Sequence, residues 1–204
     1  MRRLLPCLRR MAECSKLKVI QKQHGGEMVR HILICGDVGV GKSTLIQKLL
    51  RESTRPLCGF VTKRLHGSLS GTHEVYIHPA TGEQHCTDNN RVGLIDGAGA
   101  HPYPQVFDGY GASLLDVQPG TLVLMDELGF LESGAAAFCG KVLAALAGSV
   151  PVLAAVKSKE TPFLQSVKQH PNVRVYIITE ENRDALFADL LPQIAAWNTE
   201  EEVP

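Results

Sequence analysis

Between Ile32 and Thr44 the chain reads ILICGDVGVGKST: three apolar residues suited to a buried strand, then Gly36-Asp-Val-Gly-Val-Gly41-Lys42-Ser43, then helix-forming residues. Glycine turns let successive main-chain N–H groups point inward, and the helix that follows adds the positive end of its dipole, so the stretch makes a cradle for phosphate. The spacing is G-x-x-x-x-G-K-[ST], in which the lysine reaches the β- and γ-phosphates as a point charge and the hydroxyl binds the bridging Mg²⁺. Gly36, Asp37, Val38, Gly39, Val40, Gly41, Lys42, Ser43 and Thr44 are therefore the expected nucleotide-binding residues, with Ser43 also a metal ligand. An ordinary Gly-rich turn is the competing reading, and the flanking strand and helix count against it.

Phosphoryl transfer from a nucleotide held in such a P-loop needs a metal-side carboxylate, a group that activates the attacking water, and positive charge for the transition state. Thr121 to Met125 is a continuous apolar run, as in a strand buried on both faces, and it ends in Asp126-Glu127. Asp126 is the expected metal-side carboxylate. Adjacent strand residues point to opposite faces, so Glu127 is expected to face the γ-phosphate from the other side and to serve as general base. For charge beyond Lys42 the candidates are Lys157, Lys63 or Arg64, and Arg183, with Arg183 ranked slightly ahead because it follows a strand end.

The chain's 204 residues suit one α/β domain with a sizeable core. Net charge is zero but unevenly spread: residues 1–27 carry seven Lys/Arg against Glu13 and Glu27, leaving 14 basic and 19 acidic side chains in residues 28–204. That acidic balance disfavours nucleic acid or a membrane surface as partner of the folded domain. Residues 1–27 are expected to form a basic extension outside the fold, and 28–204 the nucleotide-binding domain. Six scattered cysteines without C-x-x-C spacing, no secretory segment and no apolar run of membrane-spanning length point to a cytoplasmic protein. No protein partner is indicated.

Along the chain, strands are expected at 29–35, 60–65, 121–125, 150–156 and 173–178, and helices at 42–51, 134–146 and 162–169, with a last one starting near Thr179 or Asn182. Pro56 and Gly59 would frame a turn before the second strand, and Pro192 would kink or end the last helix. Strands alternating with helices imply a mainly parallel sheet covered on both faces. Residues 66–119 break this pattern with eight glycines and five histidines. They read as an inserted β-hairpin with loops near the phosphate side, with no helix before Ala112. The histidine spacing matches no standard metal site.

In order and spacing, GDVGVGKST, Gly59-Phe60-Val61-Thr62, LVLMDELG and Ile178-Thr179-Glu180-Glu181-Asn182-Arg183 resemble the small stand-alone P-loop nucleoside-triphosphatases over roughly residues 29–191. The resemblance implies a single RecA-like domain and Mg²⁺-dependent hydrolysis of ATP, GTP and other triphosphates. Phe130 stands where that family commonly has a lysine, with Glu132 retained, and Lys63-Arg64 replaces a segment that tends to be acidic. Those departures bear on rate and specificity more than on nucleotide binding.

Two other functions remain open on the residues alone. In a nucleoside or nucleotide kinase, residues 66–119 would hold a phosphate acceptor. In a nucleotide-dependent switch or accessory protein, hydrolysis would time a binding event; Asp126-Glu-Leu-Gly129 satisfies D-x-x-G, but no [NT]-K-x-D guanine motif follows.

Overall fold

The structure, a computed structural model, describes residues 19–20, 30–67, 69 and 71–199. The expected basic extension lies outside the described residues except for Val19–Ile20, which forms a short strand β1 and so enters the sheet. The remaining strands are β2 His31–Gly36, β3 Leu57–His66, β4 His73–Pro79, β5 Arg91–Asp96, β6 Gly99–Pro102, β7 Leu122–Leu128, β8 Val152–Lys157 and β9 Val173–Ile177. The helices are α1 Lys42–Arg51, α2 Pro104–Val106, α3 Ala136–Ala147, α4 Pro162–Lys168 and α5 Arg183–Thr199. Among the described residues these strands form one nine-stranded sheet in the order β1-β9-β2-β8-β7-β3-β4-β5-β6.

The pairings β9-β2, β2-β8, β8-β7 and β7-β3 are parallel, so the connections, through α1, α3 and α4 among others, must cross over the sheet faces. The alternation of side chains along each strand divides the core accordingly. Ile32, Ile34, Leu122, Leu124, Leu153 and Ala155 face one side and pack against Leu45, Ile46 and Leu49 of α1 and Leu190, Ile194 and Trp197 of α5. Leu33, Cys35, Val123, Met125, Ala154 and Val156 face the other, where Phe138, Val142 and Leu146 of α3 and Leu164 and Val167 of α4 cover them.

Three expectations need correction. Gly59 is no turn residue: it lies within β3 at φ +98°, and a Cβ there would stand 2.1 Å from the carbonyl oxygen of Leu124 on β7. Close approach of two paired strands, not chain reversal, requires glycine here. Helix in the insert begins at Pro104, ahead of Ala112, and continues through a π-helical turn at Phe107–Gly111. The early end at Pro192 does not occur, since α5 runs on to Thr199. Beyond the proline, Ile194 and Trp197 are fully buried, and that burial offsets the lost backbone hydrogen bond.

The insert extends the sheet rather than forming a separate lobe. β4 pairs antiparallel with β3 from Phe60↔Pro79 to His66↔His73, and β5 and β6 continue the meander. Because β3 pairs with β7 only as far as Val61↔Asp126, its last five residues and their β4 partners project past Asp126. The histidines have local partners. His66 and His73 face each other across the hairpin, His78 is buried against Asn90 and Cys86, and His85 and His101 pair with Glu83 and Asp96. Among the described residues no group of three or more His, Cys, Asp or Glu side chains is placed to hold a metal ion.

Candidate active site

The loop from Gly36 to Gly41 leaves β2, which lies between β9 and β8, and enters α1 without a side-chain cap, so the helix's first N–H groups have no side-chain partner. Gly41 adopts φ +106°, the left-handed turn that brings the chain into the helix. Asp37, Val38 and Gly39 are exposed, as are Ser43 and Thr44 on the first turn of α1. The Asp37 carboxylate is held from the side by the Ser158 hydroxyl, which donates to it at 3.2 Å.

Lys42 is buried, and its ammonium is fully engaged. It donates to the carbonyl oxygens of Gly36 and Asp37, both at 2.9 Å, and its Nζ lies 3.0 Å from Glu127 Oε1. Next to it on the helix, the Ser43 hydroxyl donates to Asp126 Oδ1 at 3.1 Å. Asp126 is also buried, and desolvation pushes its carboxyl up from the usual range, with the Ser43 hydrogen bond pulling the other way.

Both carboxylates therefore address the phosphate loop, one through Ser43 and one through Lys42. The register against β8 shifts between Met125 and Leu128, and the Glu127 N–H donates to the Thr62 hydroxyl of β3 at 3.2 Å. The strand end is thus set by its neighbours on both sides.

The turn after β7 is fixed by Glu132. This carboxyl is fully buried, accepts the Gly129 N–H on both oxygens at 3.2 and 3.1 Å, and is pushed up to about 7 by desolvation. Lys157, the last residue of β8, pairs in register with Gly36 and places Nζ 4.0 Å from Glu127 Oε2. Phe130 lies beneath Lys159 and Lys157, whose Nζ atoms stand 4.0 and 5.4 Å from the ring centroid.

Arg183 lies elsewhere on the loop. Asn182 ties down the β9–α5 connection, accepting from Thr179 N at 2.8 Å and donating to the Ile177 carbonyl at 2.9 Å. The guanidinium that follows stands beside Gly41 and helps line a cavity of about 250 Å³ with Thr44, Leu45, Lys48 and Asp184. Lys63 and Arg64 sit on the exposed part of β3 that pairs with β4. Among the described residues no ion pair links Arg183, Lys63 or Arg64 to Asp126 or Glu127.

The sequence motifs thus bring Lys42, Ser43, Asp126 and Glu127 together, whereas Thr62 and Glu132 were not singled out for the site and Lys157 was ranked behind Arg183. One signal for Lys157 was available: it closes the apolar run Val152 to Val156, as Asp126 closes its own. A cluster of a buried lysine, an exposed hydroxyl and two carboxylates at a helix N-terminus can hold a polyanion, coordinate a hard cation and accept a proton.

Comparison with known proteins matches the chain to a family model described as NTPase over residues 31–191. The human cancer-related nucleoside-triphosphatase is 28% identical over 189 residues, which cover 80% of this chain and 96% of that protein. The nucleoside-triphosphatase THEP1 of Thermofilum pendens is 28% identical over 183 residues, covering 82% and 96%. In fold, the chain is similar to the crystal structure of THEP1 from Aquifex aeolicus, with a TM-score of 0.59 at 21% identity over 80% of this chain and 98% of that one. It is similar also to the solution structure of the human cancer-related enzyme, with a TM-score of 0.58 at 21% identity over 84% and 100%.

Proposed function

This chain belongs to the NTPase family, and we propose that it hydrolyses nucleoside 5'-triphosphates, ATP and GTP among them, to the diphosphate and phosphate with Mg²⁺ as cofactor. The observation that carries the reading is the double contact between loop and strand: Ser43 with Asp126 at 3.1 Å, and Lys42 with Glu127 at 3.0 Å. A hydroxyl and a carboxylate, both hard oxygen donors, fit Mg²⁺, which takes few protein ligands and completes its shell with water and phosphate oxygens. When bound there, the metal supplies neutralisation of charge on the β- and γ-phosphates.

The protein's own groups divide the rest of the work. The amides of residues 36–44 hold the phosphates, and Lys42 exchanges the Gly36 and Asp37 carbonyls for phosphate oxygens, which removes it from Glu127. Glu127 then takes a proton from water as the water oxygen bonds to the γ-phosphorus and the bond to the bridging oxygen breaks, leaving the diphosphate. The cavity beside Arg183, bordered by Lys48, Asp184 and Thr44, opens next to the phosphate loop at Gly41, which supports its taking the sugar and base. No helix among the described residues is long and apolar enough to cross a membrane, and the four described cysteines are unpaired thiols. The unpaired thiols support a cytoplasmic setting.

The test is product analysis with Mg²⁺ and each triphosphate in turn. Free phosphate and diphosphate in equal amounts are expected. A phosphorylated acceptor formed in place of free phosphate would make the protein a kinase, and tight guanine-selective binding without turnover would make it a switch.

A further inference from the structure

Glu127 is flanked by two lysines, one on each carboxylate oxygen: Lys42 on Oε1 at 3.0 Å and Lys157 on Oε2 at 4.0 Å. The two cannot play the same part. Lys42 belongs to the phosphate loop and has to leave the carboxylate when a triphosphate takes its place. Lys157 belongs to β8, the strand lying between the loop strand β2 and the carboxylate strand β7, and nothing about phosphate binding requires it to let go. From this geometry we infer that Lys157 is a positioning residue for Glu127, holding the base in line with the attacking water once Lys42 has moved to the phosphates. The inference rests on the hydrolase reading above.

The surroundings of Lys157 fit such a part. Gly129 leaves room for it: a Cβ there would stand 3.2 Å from Lys157 Cδ and 3.4 Å from Nζ. The Glu132 carboxyl, fixed by its two contacts to the Gly129 N–H, lies close enough to feel the Lys157 charge. The Phe130 ring borders the same side chain. A carboxylate ion-paired to a lysine bordered in this way loses rotamer freedom before the reaction. Arg183 offers no such contact, since it lines a cavity to which no residue of β7 contributes.

The experiment is a double-mutant cycle on phosphate release, with affinity for a non-hydrolysable triphosphate measured in parallel. Lys157→Met, which keeps the apolar stem, is expected to lower kcat about 10- to 100-fold while KM and analogue affinity stay within about two-fold. Lys157→Arg, with its charge retained, should recover most of the rate. In the Glu127→Gln background Lys157→Met should cost less than about two-fold more, because a residue that acts only through Glu127 has nothing left to position. An undiminished loss in that background, or full activity in the single Lys157→Met variant, overturns the inference and leaves the hydrolase reading standing. Absence of phosphate release from the unaltered protein overturns both.

Discussion

Lys42 Nζ and Glu127 Oε1 are 3.0 Å apart, so the ammonium expected to grip the phosphates lies against the carboxylate expected to activate water. The same ammonium also closes onto the loop's own carbonyls at Gly36 and Asp37. The two opposite charges thereby offset each other in a partly buried site.

Lys42→Ala should remove most triphosphate affinity and turnover. The loop amides remain, but the charge-assisted contact is lost, and such contacts contribute on the order of 2 kcal/mol or more in a dry site. Titration with a non-hydrolysable analogue checks this. Affinity within about three-fold of the unaltered protein would show that Lys42 does not touch the phosphates.

Glu127→Gln separates binding from chemistry. The amide is nearly isosteric and frees Lys42 from its ion pair, so affinity should hold or rise slightly. The rate should fall by about 100-fold or more, as for loss of a general base. Single-turnover measurement of phosphate release is the check, and an unchanged rate would reassign the base.

The proposed metal dependence rests on Ser43 and Asp126. Chelation of Mg²⁺ should stop turnover, and Asp126→Asn should raise the Mg²⁺ concentration needed for half-maximal rate by about 10-fold or more. A Mg²⁺ titration of both proteins decides this, since coincident curves would place the metal elsewhere.

These four residues could be named from the chain because each lies in a local pattern: Lys42 and Ser43 within one turn-to-helix motif, Asp126 and Glu127 at the end of one apolar run. What escaped was non-local. The contact of Lys157 with Glu127 depends on sheet order, since only the placement of β8 between β2 and β7 brings the two together. Gly59 was misread for a related reason. Glycine marks a turn far more often than a close contact between strands, and the contact partner Leu124 is remote in sequence.

That contact makes Gly59→Ala a test of the fold. Alanine would have to hold φ +98° and place its Cβ 2.1 Å from the Leu124 carbonyl, so β3 and β7 must separate. A loss of about 2 kcal/mol or more in unfolding free energy is expected. Urea denaturation reads it directly, and an unchanged midpoint would mean that the strands do not approach as closely as this.

Two buried groups give stability opposite dependences on pH. His31 accepts from Val152 N on Nδ1, contacts the Leu146 carbonyl through Nε2, and is lowered from 6.5 to about 4 by desolvation. Its contribution is complete above pH 6.5 and is lost as pH falls toward 4, because only the unfolded chain takes up the proton in that window. Glu132 is raised from 4.5 to about 7, so its contribution is complete below pH 4.5 and is lost as pH rises toward 7. In the overlap the two slopes oppose each other and flatten the profile. Glu132→Gln, which keeps an oxygen acceptor for the Gly129 N–H, removes one of them. Its stability relative to the unaltered protein should therefore grow as pH rises from 4.5 to 7, by up to about 3 kcal/mol. His31→Gln should show the reverse, gaining relative stability as pH falls from 6.5 to 4. Urea unfolding across that range checks both, and parallel curves for all three proteins would mean that neither group titrates differently on folding.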